Sequence, residues 1–163
     1  MSRAVLSLGS NLGDRLANLR LAVDGLGAAV VAVSPVYETT PWGGVEQPDF
    51  LNAVVIVDDP AVDEWGWLAI GQRLENQAHR VREVRWGPRT LDVDVVTVDG
   101  VTSDDPSLLL PHPGTPDRAT VLIPWLDVDP DAVVPGHGRA ADLLAKLDTA
   151  GVTRRDDLVL GER

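Results

Sequence analysis

Leu91-Asp92-Val93-Asp94-Val95-Val96-Thr97-Val98, closed by Asp99-Gly100, is the stretch on which the fold turns. Its β-branched residues and the Asp-Gly turn signal behind it read as a strand. Working back along the chain, Asp58-Asp59-Pro60 open a helix running to about Ala78, with Trp67, Ile70 and Leu74 as its buried stripe. Phe50 to Val57 precedes it as a strand, behind an irregular segment from Thr39 to Asp49 that Pro41, Gly43, Gly44 and Pro48 keep out of regular structure. Val30 to Val36 reads as another strand, in which Pro35 marks an edge position or an irregularity. Before it, Leu16, Leu19, Val23 and Leu26 fall at helical spacing between a cap at Asn11 or Asp14 and the closing Gly25 and Gly27. Ala4 to Leu8 begins the series as a strand. The order is β-α-β-β-α-β, which predicts an α+β, ferredoxin-like core: an antiparallel sheet with both helices on one face. The C-terminal third is left to cover the other face, giving three layers, α-β-α. It offers a Pro-rich connection from Pro106 to Pro116 and short helices near Asp117 to Trp125 and Ala140 to Leu147. The last residues, Thr153 to Arg163, are polar enough to be expected to fray.

A chain of 163 residues, 44% of them hydrophobic, suits one well-buried core, and residues 1–163 are read as a single domain. The first apolar run, Ala4 to Leu8, is broken at once by Gly9, Ser10 and Asn11, far short of a signal-peptide core or a membrane span. A soluble, cytoplasmic protein is expected. With no cysteine there are no disulfides, thiolate metal sites or cysteine nucleophiles, and any metal must be held by oxygen or imidazole. A formal net charge of -11 repels polyanions and argues against non-specific binding to nucleic acid or an anionic membrane. One segment departs from that average: Arg73, Arg80, Arg82, Arg85 and Arg89 crowd together, with Glu75 and Glu83 as the only acids among them. A local anion site on an acidic protein is implied.

Asp92 and Asp94 stand two apart at the start of a strand and therefore share a face, with Cα atoms roughly 6.5 to 7 Å apart. Both carboxylates can reach a magnesium ion, which prefers a few carboxylates together with phosphate oxygens and water. A lone pair of this kind is most often a solvated strand end. The arginines immediately before it change the reading, because planar donor forks match phosphate oxygens. For Gly9 to Asp14 the glycine spacing fits neither common phosphate-binding loop, so a structural strand-to-helix turn is favoured.

The run Arg80-Val81-Arg82, followed by Arg85-Trp86-Gly87-Pro88-Arg89-Thr90-Leu91-Asp92-Val93-Asp94, resembles the signature of the hydroxymethyl-dihydropterin pyrophosphokinases. The likeness extends to Leu8-Gly9-Ser10-Asn11-Leu12-Gly13-Asp14, to Tyr37-Glu38-Thr39 before Pro41, to Gln47-Pro48-Asp49-Phe50-Leu51-Asn52-Ala53, and to Leu110-Pro111-His112-Pro113 with Arg118, in family order. It implies transfer of pyrophosphate from MgATP to the hydroxymethyl group of 6-hydroxymethyl-7,8-dihydropterin, releasing AMP, in folate biosynthesis. It also implies two Mg2+ ions on Asp92 and Asp94, with Arg80 and Arg82 joining those acids as catalytic residues. Around ATP it sets Gln72, Arg80, Arg82, Trp86, Arg89, His112 and Arg118. Around the pterin it sets Thr39, Thr40, Pro41, Trp42, Phe50, Asn52, Trp86 and Asp92. In-line phosphoryl transfer asks mainly for positioning and for positive charge on the phosphate oxygens, which suits that set. The segment from Arg73 to Arg89 is expected to close over bound ATP. A monomer acting on small molecules is expected.

Two positions depart from the family pattern. Thr120 stands where an aromatic residue usually forms the second wall of the pterin slot, a role left to Trp42 or Trp86, and Thr40 replaces a small or apolar residue. Phe50 keeps the ring of the commoner tyrosine. His112, between two prolines, either contacts phosphate or shapes a turn. Competing readings are a catalytically weakened relative that binds pterin or nucleotide, and a ferredoxin-like RNA-binding module, against which the acidity of the chain argues.

Overall fold

The computed structural model of the chain describes residues 3–39, 49–78 and 90–160. Its strands are β1 (Arg3–Ser10), β2 (Val30–Val33), β3 (Tyr37–Thr39), β4 (Phe50–Asp58), β5 (Asp92–Val98), β6 (Ser103–Asp105), β7 (Leu108–Leu110), β8 (Val133–Val134), β9 (Gly138–Arg139) and β10 (Val152–Arg154). Its α-helices are α1 (Arg15–Leu26), α2 (Glu64–Gln77), α3 (Ala119–Val128) and α4 (Ala140–Leu144). The main sheet runs β10-β3-β4-β1-β5, with β2 also pairing β4, and every pairing is antiparallel. This is the ferredoxin-like order, with β2 and β3 together in the place of its second strand.

Alternation along the strands sorts their side chains between two cores. Ala4, Leu6 and Leu8 of β1, Leu51, Ala53, Val55 and Val57 of β4, and Val93 and Val95 of β5 face α1 and α2, where Leu19, Val23, Trp67 and Leu74 meet them. The opposite face presents Val5, Val54, Ile56 and Val96 to Val121, Leu122 and Trp125 of α3 and to Ala140 of α4. The three expected layers are present. Asp14, one of the two candidate caps, closes the first turn of α1 by accepting from the Ala17 N–H at 3.1 Å.

Four local expectations are corrected. The strand read as Val30 to Val36 stops at Val33, because Pro35 has no N–H to offer the ladder, and β3 follows at Tyr37–Thr39, beyond the range read as a strand and including Thr39 of the segment read as irregular. At the break, Ser34 N donates to the Val54 carbonyl at 2.9 Å and its hydroxyl accepts from Val54 N at 2.8 Å, so a side chain stands in for a ladder partner. α2 starts at Glu64, capped by Asp63 accepting from Gly66 N at 2.7 Å, whereas Asp59 accepts from Ala61 N to make a turn. The stretch read as a Pro-rich connection, Pro106 to Pro116, contains β7, which pairs with β6 just before it as a hairpin. The C-terminal segment, expected to fray, adds β10 to the sheet beside β3 and buries Leu160 in the core under α1.

β5 lies at one margin of this sheet. Two of its outward-facing backbone groups are satisfied from outside it: the Val93 N–H donates to Glu75 Oε2 at 2.9 Å, and the Val96 carbonyl accepts from His112 N at 2.8 Å. Among the described residues no helix is long and apolar enough to cross a membrane.

Candidate active site

The end of β1, the start of β4 and the start of β5 meet at one end of the sheet, on the α3 face. Because Val93 and Val95 point to α1 and α2, Asp92 and Asp94 point the other way, sharing a face with Val96. On β4 the same parity sets Phe50 and Asn52 on the face of Val54 and Ile56. Register completes the layout: Asn52, Gly9 and Asp92 form one row across β4, β1 and β5, and Val54, Ser7 and Asp94 form the next. Asn52 and Asp92 are thus two strand spacings apart, about 9.5 Å.

Asn52 donates through Nδ2 to Thr39 Oγ1 at 2.6 Å, with Thr39 buried opposite Phe50. That bond fixes the carboxamide and leaves its oxygen and second N–H to read a ligand edge. Beside the same row, the Tyr37 hydroxyl donates a short hydrogen bond to Asp127 of α3. Burial and that bond push the phenol up to about 12, so it stays neutral at physiological pH.

β3 is held by an ion-pair network. Glu38 accepts from Arg15 of α1 at 2.6 Å and from Arg155, just past β10, at 2.9 Å, and Arg15 also donates to the Asp49 carbonyl at 3.0 Å. The hydrogen bond from Arg15, aided by Arg155 and opposed by burial, holds the Glu38 carboxyl below its ordinary value.

His112 follows a cis Leu110–Pro111 bond, and of the two roles open to it the structure shows the turn. Its carbonyl accepts from the N–H and hydroxyl of Thr115, and its N–H binds β5, so its backbone shapes the turn. Its ring Nδ1 lies 2.8 Å from the Pro113 carbonyl, which makes Nδ1 the protonated nitrogen, and Nε2 faces Asp94 Oδ1 at 3.8 Å. Burial, with the charge of Arg118 in support and that of Asp92 opposed, lowers the ring's pKa, so the contact with Asp94 is not an ion pair at neutral pH.

Of the residues expected at the site, the structure gathers Thr39, Phe50, Asn52, Asp92, Asp94, His112 and Arg118 around this sheet end. Gln72 is exposed on α2, across the sheet from the acids. Thr40, Pro41, Trp42, Arg80, Arg82, Trp86 and Arg89 lie outside the described residues, as does most of the segment expected to close over ATP. The loop from Gly9 to Asp14 is the structural turn favoured from its spacing: Asn18 donates to Ser10 Oγ and to the Leu12 carbonyl. Glu75 was missed. The signal was an acid falling on the buried side of α2 beside Leu74.

The acids fit magnesium. They are hard oxygen donors on one face, and among the described residues no cluster of three or more His, Asp or Glu could cage an ion. An ion there would take its remaining oxygens from substrate and water, the usual habit of magnesium.

Fold and site together define a class, the α+β enzymes that work on small molecules at the open end of a ferredoxin-like sheet. Within it, the chain belongs to the 7,8-dihydro-6-hydroxymethylpterin-pyrophosphokinase family, whose model matches residues 5–130, and it is an ATP-dependent pyrophosphokinase. The 2-amino-4-hydroxy-6-hydroxymethyldihydropteridine pyrophosphokinase of Mycobacterium tuberculosis is 52% identical over 162 residues, covering 92% of this chain and 86% of the relative. That of Mycobacterium leprae is 58% identical over 150 residues, covering 86% and 78%. Among solved structures, the wild-type HPPK-DHPS of Plasmodium falciparum with pteroate superposes with a TM-score of 0.68 at 14% identity, a likeness of fold. It covers 89% of this chain and 44% of that one, so the chain spans less than half of the longer protein.

Proposed function

We propose that the chain transfers pyrophosphate from MgATP to the hydroxymethyl group of 6-hydroxymethyl-7,8-dihydropterin, releasing AMP, with residues 1–163 acting as one domain. The observation that supports this reading is the row Asn52–Gly9–Asp92, which sets a carboxamide able to read a ring edge and a carboxylate able to hold a metal on one face about 9.5 Å apart. A fused ring gripped at its amide edge by Asn52 would extend its one-carbon arm toward the acids. Phe50 would form a wall against the ring, worth about 0.5 to 1.5 kcal/mol of stacking.

In this reading Asp92 and Asp94 hold the magnesium, two ions once ATP is bound. When present, the metal supplies positive charge on the phosphate oxygens. The hydroxymethyl group gives up its proton to solvent, its oxygen bonds to the β-phosphorus, the bond from that phosphorus to the bridging oxygen of AMP breaks, and AMP departs with the electron pair on that oxygen. His112 Nε2, 3.8 Å from Asp94 Oδ1, and Arg118, near the same ring, would meet phosphate, and Arg80, Arg82, Trp86 and Arg89 complete the nucleotide site, which Gln72 would join only if the nucleotide reaches past the β5 margin to the α2 side. Thr39 orients Asn52, and Thr40, Pro41, Trp42 and Trp86 line the pterin. Mixing the protein with the pterin alcohol, ATP and magnesium tests this: AMP should form only when all three are present. ADP as the nucleotide product, or none, would overturn it.

A further inference from the structure

Along the α3 face of β1 the side chains shrink toward the site: Val5 is buried under α3, Ser7 follows beside Asp94, and Gly9 ends the series between Asn52 and Asp92. Backbone conformation does not explain the glycine, since Gly9 is not among the positive-φ residues and an L residue could take its place in the strand. Space does. A Cβ on Gly9 would stand 3.2 Å from Asn52 Oδ1 and 3.6 Å from Phe50 Cδ1. The second is an ordinary contact. The first is tighter than nine in ten contacts that a real Cβ makes, so the Asn52 carboxamide, tied on its other side to Thr39 at 2.6 Å, would have to give by a few tenths of an ångström.

We propose that Gly9 is a positioning residue of the pterin slot, its missing side chain being the space in which the Asn52 carboxamide lies low enough to grip the ring edge. This rests on the function proposed above. Acting through Asn52, Gly9 governs pterin affinity while leaving the nucleotide half of the site untouched.

The test is a double-mutant cycle on pterin binding, followed by the fluorescence of the pterin itself, with MgATP affinity and melting temperature measured on each variant. Gly9→Ala should weaken pterin binding by about tenfold, equivalent to 1.4 kcal/mol, and leave MgATP affinity and the melting temperature nearly unchanged. In an Asn52→Ala background, which removes the atom facing the new methyl, the same substitution should cost less than about twofold. Equal losses in both backgrounds would overturn the proposal, as would unchanged pterin affinity, or pterin and nucleotide affinity falling together. If Gly9→Ala alone does not fold, the comparison of the double variant with Asn52→Ala still decides. Wild-type protein that binds pterin but forms no AMP would defeat the proposed reaction and leave the claim about Gly9 standing.

Discussion

At the scale of single residues, two carboxylates have their direction fixed by their neighbours. Val93 and Val95 are buried under α1 and α2, so Asp92 and Asp94 have no choice of face. Asp94→Asn is expected to keep the fold, since Asp94 is only half-buried and amide and carboxylate are nearly isosteric. In AMP-release assays kcat/KM should fall by more than the roughly 10–100-fold typical of losing a group that merely orients a metal ligand. Retained turnover with an unchanged melting curve would remove the metal assignment. The pairing of acids was legible from sequence because the period of a strand is two. The role of Glu75 was not, since an acid at helical spacing looks the same whether it meets water or the backbone of another element.

At the scale of elements, β3 depends on its clamp. Glu38 binds Arg15 and Arg155 from opposite sides, joining α1, β3 and the segment after β10. Its carboxyl is held below the ordinary value near 4.5, first by the hydrogen bond from Arg15. The folded pKa is lower than the unfolded one, so the contribution to stability is full above about pH 4.5 and is lost as pH falls through the folded value. Glu38→Gln should therefore be less stable than the parent at neutral pH and approach it in acid, as read by urea unfolding at pH 7 and pH 3. A constant difference across that range would place the effect in packing rather than charge. The six elements of the β-α-β-β-α-β core were readable from spacing, β-branched composition and turn signals, whereas β3 lay beyond the range read as a strand. The split between β2 and β3 was only half readable: Pro35 announced the irregularity, but the Ser34 hydroxyl that bridges it is a tertiary contact with Val54.

At the scale of the whole molecule, the logic of strand alternation and helical spacing stops at the C-terminal third. The sequence there predicts a cover, and a cover is present, yet the polar stretch after Gly151 conceals a strand that only its partner β3 could reveal. Deleting residues 152–163 should cost at least about 2 kcal/mol, since it removes a buried leucine together with the Arg155 bond to Glu38. Chemical unfolding of the truncated protein checks this, and an unchanged midpoint would return the segment to the frayed tail first expected. A different consequence follows from the outermost position of β5. A strand at the rim of a sheet is ordinarily a template on which a foreign chain can build. Here a carboxylate from a helix and an amide from a turn occupy that seam, so the acids can meet incoming substrates without offering their backbone to aggregation.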